Sequence, residues 1–442
     1  KESLTDVLRA YLAAGIIGSG PWVISIGSML LIGLLSRELR VGDPALVTPF
    51  LATITHLMAT SLVFSGLVQH VFTRFVADRV YEEREDVIAP NLAGVLLLTT
   101  AAAGALSAAI AVVAFEGNAA LRCFLVVAFV LLCDVWVLSV FLSGMKAYRS
   151  ILVVFALGYG VTSVAALSLA RFGLAGYLAG FCVGQALMLF GMLLEVLRQY
   201  PSERLLAWAF LDRKKVRGEL VLTGLLFNVA VWADKVVFWQ NSLTSESVLG
   251  PIRYSVVYDV PIFVAYLALI PGMAVLFVRI EVDFAEAYAA YFRAVCEQGR
   301  LAEVRALRGR LVRAARAAVY DTLLVQGMAA AILFVTAGGV LRLFGLPPFY
   351  LHLFRVDVVA VSLQVVLLAT FTILFYLDYR RLVLALSALF AVANLGLSLL
   401  TIELGPRFFG LGFAGATGLT SLVSFAVLSR KLDRLDYETF MR

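Results

Sequence analysis

Apolar runs of twenty or more residues recur from one end of this 442-residue chain to the other. As a helix, such a run spans the hydrocarbon core of a bilayer, ~30 Å at about 1.5 Å per residue. Only helices and closed barrels can cross lipid, because every backbone polar group must be satisfied within the protein. A barrel would show alternating segments of about ten residues, and the sequence has none. Charged residues make up 15% of the chain, against roughly 25% in soluble domains. The fold class expected is therefore all-α and polytopic. The chain opens at Lys1, so a short N-terminal piece is expected to precede it; KESLTDVLR does not have the form of a signal peptide.

Twelve spans are expected, at about 12–35, 45–73, 89–114, 123–145, 150–170, 174–197, 219–239, 260–278, 320–341, 356–376, 382–404 and 413–429. Lys and Arg outside the spans divide 27 on one side to 8 on the other, and Lys235 lies within a span. That asymmetry places the richer side, with both termini, in the cytoplasm. It also explains the net charge of +6 without any nucleic acid. The basic segment 198–218 separates residues 1–197, an N-terminal lobe of six spans, from residues 219–442, a C-terminal lobe of six. A second long cytoplasmic segment, 281–319, carries apolar residues at helical spacing (Phe284, Tyr288, Tyr291; then Leu301, Val304, Leu311) and a glycine in EQGR. It reads as an amphipathic helical hairpin, either lying on anionic lipid or docking a cytoplasmic partner.

Several functions are disfavoured. There is no P-loop, no Ser/His/Asp set and no paired acidic loop motif, so neither an ATPase nor another enzyme is expected. The four cysteines form no CxxC and the three histidines are scattered, so disulfides, metals and cofactors are not expected. The short extracytoplasmic loops leave no room for an outer-face transferase domain.

Polar residues within spans are costly in lipid and usually face the protein interior. In ELVLTGLLFNVAVWADKVVFWQ, Asn228, Trp232, Lys235 and Trp239 are spaced along one helical face. Indole faces beside amide and ammonium groups suit a sugar path. The competing reading is a snorkelling lysine with interfacial tryptophans. Asp234 leaves the helix about 100° from Lys235, so each is expected to need another partner. Asp134, mid-span and flanked by apolar residues, is a candidate counter-ion, proton site or interhelical hydrogen-bond acceptor. Gln185, Gln364 and Asn394 are mid-span amides of the kind that join helices. Asp357 and Glu403 lie near span ends, where water is expected to reach them. Pro261 and Pro271 mark the eighth span as bent or locally unwound. GIIGSGPW (15–22) puts Gly18, Gly20 and Pro21 within the first span, as a packing kink or a hinge.

Several stretches together resemble one family: YLAAGIIGSGPWVISI (11–26), VFLSGMKAY (140–148), WADKVVFW (232–239), YDVPIFVAYLALIPGMAVLF (258–277), EVDFAEAYAAYFRAVCEQGRLAEV (281–304), FYLDYRR (375–381), FGLGFAGA (409–416) and DYETFM (436–441). They are similar to the PelG family of inner-membrane exopolysaccharide exporters. The resemblance implies the MOP flippase fold, with two six-helix lobes around a central cavity. It also implies transport of the Pel polymer, rich in N-acetylgalactosamine and galactosamine, from cytoplasm to periplasm. The partners it implies are the cytosolic glycosyltransferase PelF and the membrane proteins PelE and PelD, the last a cyclic di-GMP sensor. It supplies no catalytic motif, so the site residues rest on the physical reading alone. The alternatives are an ion-coupled flippase for lipid-linked oligosaccharide, working through Asp134 or Asp234, and a non-transporting scaffold for the synthase.

Overall fold

The computed structural model describes residues 4–39, 42–116, 118–212, 218–297, 299–435, 437 and 439, with side chains from residue 18 onward except at 37. Its helices are α1 (Leu4–Glu38), α2 (Val47–Tyr81), α3 (Ile88–Ala114), α4 (Ala119–Gly144), α5 (Tyr148–Leu169), α6 (Gly173–Gln199) and α7 (Gly218–Gln240), then α8 (Asp259–Tyr266), α9 (Ile270–Val278), α10 (Ala285–Cys296), α11 (Leu301–Leu343), α12 (Leu351–Tyr376), α13 (Arg380–Leu404) and α14 (Leu411–Asp433). Among the described residues, eleven stretches are long and apolar enough to cross a membrane. One of them, Tyr148–Gln199, is itself two helices, α5 and α6, joined by a 3-10 turn at Ala170–Phe172. All twelve expected spans are therefore present, and the protein is a multi-pass membrane protein. A short antiparallel hairpin, β1 (Glu246–Leu249) with β2 (Ile252–Tyr254), occupies the loop after α7.

The contacts divide the chain into two compact units, residues 21–256 and residues 1–20 with 257–442. This is not the division at 198–218 read from the linker. Part of the reason is α7, which packs on α2 within the first of these units. There a Cβ at Gly224 would lie 2.1 Å from the Gly66 carbonyl oxygen, and one at Gly66 2.7 Å from that of Gly224. Paired glycines let the two backbones approach as no larger residue would. The linker itself folds back along α3: Ala207 N–H donates to Pro90 O (3.0 Å) and Phe210 N–H to Asn91 Oδ1 (3.3 Å). Phe210 is buried edge-on to Phe72. Residues 213–217 of the linker, much of the DYETFM tail and the side chains of GIIGSGPW before Gly18 lie outside the described residues.

Helix α1 runs unbroken through Pro21, so the glycine- and proline-rich stretch does not interrupt it. The boundary between the two units nonetheless falls between Gly20 and Pro21. In the other unit, α8 and α9 are separated by a 3-10 turn, Leu267–Leu269. Pro261 sits in the first turn of α8, where its missing N–H breaks no helical bond, so it does not unwind the span as expected. Pro271, at the start of α9, does accompany the interruption.

The segment 281–319 forms two helices, but neither stands alone. The first, α10, continues from α9 through a π-helical stretch, Arg279–Phe284. The second is the amino-terminal part of α11, which runs on without a break as the next span. At 43 residues, α11 is about 65 Å long. The apolar face of the first helix is turned inward: Phe284 of the π-helical stretch and Tyr291 of α10 are fully buried, and Phe284 and Tyr288 pack edge-on against Tyr376 of α12.

Candidate functional site

Helix α7 brings part of the expected stripe together. Trp232, Lys235 and Trp239 are all buried, Lys235 to 1% exposure. Its ammonium reaches both oxygens of the Asp234 carboxylate (3.0 and 3.1 Å) and donates to Val231 O, one turn back, at 3.1 Å. The expectation that these neighbours would not pair is thus overturned. The 100° separation applies to the Cα–Cβ directions, whereas the four-carbon lysine stem lets Nζ swing back along the helix to meet its neighbour. The snorkelling reading fails as well, because Lys235 is buried. Nζ also lies 5.8 Å from the Trp232 ring centroid, within cation–π range.

Neither tryptophan is exposed on the protein surface. Trp239 stacks on the imidazole of His56 from α2, centroids 4.0 Å apart, with the Trp232 ring 6.1 Å away. His56 holds its ring through Nδ1 against Ala52 O at 2.9 Å. Sequence reasoning missed His56, since only the α2–α7 crossing brings it to Trp239. Asn228 is not part of this group. It sits half-buried at the Gly66–Gly224 crossing and donates to Gly224 O at 2.9 Å. The result is a buried cluster that includes an ion pair, two indoles and an imidazole. It offers the stacking faces and charged groups that sugars engage, but in this conformation they engage one another.

Asp134 on α4 is buried and accepts a hydrogen bond from Thr100 Oγ1 of α3 at 2.6 Å. Of the three roles expected, the interhelical hydrogen bond is present, and Oδ1 of the same carboxylate is buried without a hydrogen-bond partner. The counter-ion role fails, because Asp234 occupies Lys235. Gln185 is fully buried beside Tyr159. Gln364 is half-buried, and Asn394 Oδ1 accepts from Ser398 Oγ of its own helix at 3.1 Å. Asp357 is fully buried rather than solvated, whereas Glu403 is exposed. Gly18 faces α9, where a Cβ would meet Met273 O at 3.5 Å and Phe277 Cβ at 3.6 Å. Those are ordinary contacts, so packing does not demand glycine there.

The amide that most clearly joins helices is one the sequence reading did not select. Gln326, buried on α11, inserts into the interruption between α8 and α9. Gly272 N–H donates to its Oε1 at 2.9 Å, while its Nε2 donates to Ala268 O at 2.9 Å and Ser362 Oγ of α12 at 2.8 Å. Residues 268 and 272 are the pair that an unbroken α-helix would bond directly. The glutamine therefore takes the place of one backbone hydrogen bond and ties three helices. A Cβ on Gly272 would lie 2.3 Å from Oε1 and 3.0 Å from Val365 Cγ1, which accounts for the glycine of IPGM. Pro271 marked the break in the sequence, but nothing marked the residue that fills it.

Solved structures of low identity share this architecture over nearly their whole length. One described as a crystal structure of MATE in the bent conformation has TM-score 0.65, 15% identity, 97% coverage of this chain and 96% of its own. An outward-facing multidrug resistance MATE family transporter of the MOP superfamily has TM-score 0.61 and 16% identity, covering 97% of each chain. A MOP superfamily transporter from Pyrococcus furiosus has TM-score 0.61 and 14% identity, covering 96% of this chain and 97% of its own. Among curated proteins no match is found. The fold is the one seen in MOP-superfamily transporters. Residues 1–440 match the family profile described as "PelG: Putative exopolysaccharide Exporter (EPS-E)". The chain belongs to the PelG family.

Proposed function

We propose that this chain carries the Pel exopolysaccharide, rich in N-acetylgalactosamine and galactosamine, from cytoplasm to periplasm across the bacterial inner membrane. The observation that carries the reading is the family match, which extends over 1–440; the transporter fold supports it. The excess of Lys and Arg on one side, 27 to 8, supports cytoplasmic termini. The proposed partners are the synthase PelF on the cytoplasmic side and PelD and PelE in the membrane. In this proposal polymerisation pushes the chain outward, and the transporter supplies a fitted path.

Trp232, Lys235 and Trp239 are proposed to meet sugar when the α7 cluster opens, releasing indole faces and the Lys235 ammonium from their present partners. The first test is a strain lacking the native exporter, complemented by this chain. Secreted polymer should return, and polymer trapped in the cytoplasm should fall. Normal membrane abundance and normal synthase recruitment without secretion would support the scaffold reading instead.

A further inference from the structure

Helices α11, α12 and α14 enclose an apolar groove of about 800 Å³. Tyr320 and Leu323 form one wall, Phe425 and Leu428 the other, and Leu363 and Val366 the floor. Tyr320, Leu323 and Phe425 are exposed, and α11 is the least buried of the candidate spans. The groove runs along α14 from Gly418 to Leu432, about 21 Å at 1.5 Å per residue. That depth exceeds half of the ~30 Å hydrocarbon core without reaching across it. It suits a lipid of one leaflet better than a partner helix, which would cross the whole core.

The groove ends among arginines. Arg316 lines it and donates to the Asp433 carboxylate at 2.8 Å, and Arg308 donates to the carbonyl oxygens of Asp433 (2.7 Å) and Leu432 (3.3 Å). Arg313, one turn before Arg316, and Arg430, next to the lining Ser429, are both exposed. Among the described residues, Asp433 stands here with Arg308, Arg313, Arg316 and Arg430. The charge asymmetry of the loops places that end on the cytoplasmic side, where basic pockets between spans take anionic headgroups.

We propose that this groove is a binding site for an anionic phospholipid of the cytoplasmic leaflet. Its acyl chains lie between α11 and α14, and its phosphate sits on Arg313 and Arg316. The site is separate from the α7 cluster, and only its assignment to the cytoplasmic leaflet rests on the orientation proposed above. The test places a photo-crosslinking residue at Leu422, which lines the groove, and another at Val164 on α5 as a control; both are exposed. The full chain is reconstituted in symmetric liposomes of equal phosphatidylglycerol and phosphatidylethanolamine, and adducts are identified by mass spectrometry.

At position 422, phosphatidylglycerol adducts should exceed phosphatidylethanolamine adducts by about thirtyfold, taking ~1 kcal/mol for each of the two arginines engaged. The control should show near parity. The Arg313→Gln/Arg316→Gln variant, checked for wild-type elution and helicity, should bring position 422 to parity. Parity at 422 in the unmodified chain would overturn the proposal, as would adducts on a second copy of the chain in place of lipid. Because the liposomes are symmetric, this outcome is independent of orientation, which cysteine accessibility in cells reads separately.

Discussion

Replacing Gln326 by leucine keeps its approximate bulk and removes three hydrogen bonds, those to Gly272 N–H, Ala268 O and Ser362 Oγ. Side-chain hydrogen bonds between membrane helices average about 0.6 kcal/mol and reach about 1.7 kcal/mol, so the bonds themselves account for about 2 kcal/mol. The two backbone groups left behind add to this. Gly272 N–H and Ala268 C=O can find each other only if the turn at Leu267–Leu269 rewinds into α-helix. Pro271 opposes that, because it has no N–H to donate and its ring crowds the carbonyl of Leu267. An unsatisfied amide in an apolar setting costs further free energy, about 1–3 kcal/mol on mutational scales. The expected loss for Gln326→Leu is therefore about 4 kcal/mol or more, several hundredfold in the unfolding equilibrium at about 1.4 kcal/mol per tenfold. Equilibrium unfolding in mixed micelles reads it as a lower midpoint at unchanged slope. Gly272→Ala disrupts the same joint from the other side, since its methyl group would occupy the place of Oε1. Wild-type midpoints for both variants would refute the reasoning.

Three other substitutions probe the remaining features. Lys235→Met should destabilise by about 3–5 kcal/mol, because it strands a buried carboxylate, and Asp234→Asn/Lys235→Met should recover most of that loss; a double variant no better than the single one would break the account of the pair. Asp134→Asn should keep the bond from Thr100, with export intact and insensitive to collapse of the proton gradient. Loss of export at normal abundance would instead assign Asp134 to ion coupling. Pro21→Ala, at the boundary between the compact units, should lower export more than membrane abundance, and the reverse would leave only a packing role.

What the sequence disclosed follows from range. The spans were legible because bilayer thickness fixes their length, and each was found close to its expected place. The break near Pro271 was legible because proline acts locally. Pairings across the fold were not. Gln326 is 54 residues from Gly272, and His56 reaches Trp239 only through the close crossing of α2 on α7. Helical-wheel geometry also misjudged Lys235, because a long flexible side chain is not bound by the direction of its Cβ. Asp357 lies near a span end, yet neighbouring structure buries it fully. The hairpin Glu246–Tyr254 lay in a loop too short to show a strand period.

The central claim is that the chain moves polysaccharide across a membrane. Inverted inner-membrane vesicles carrying the chain with its proposed synthase, supplied with nucleotide-activated N-acetylgalactosamine, test it most directly. Polymer should accumulate in the vesicle lumen, protected from an added glycosidase until detergent is present, and that protection should vanish when the transporter is omitted. Polymer that is made but remains fully digestible without detergent, with the transporter present and folded, would contradict the account.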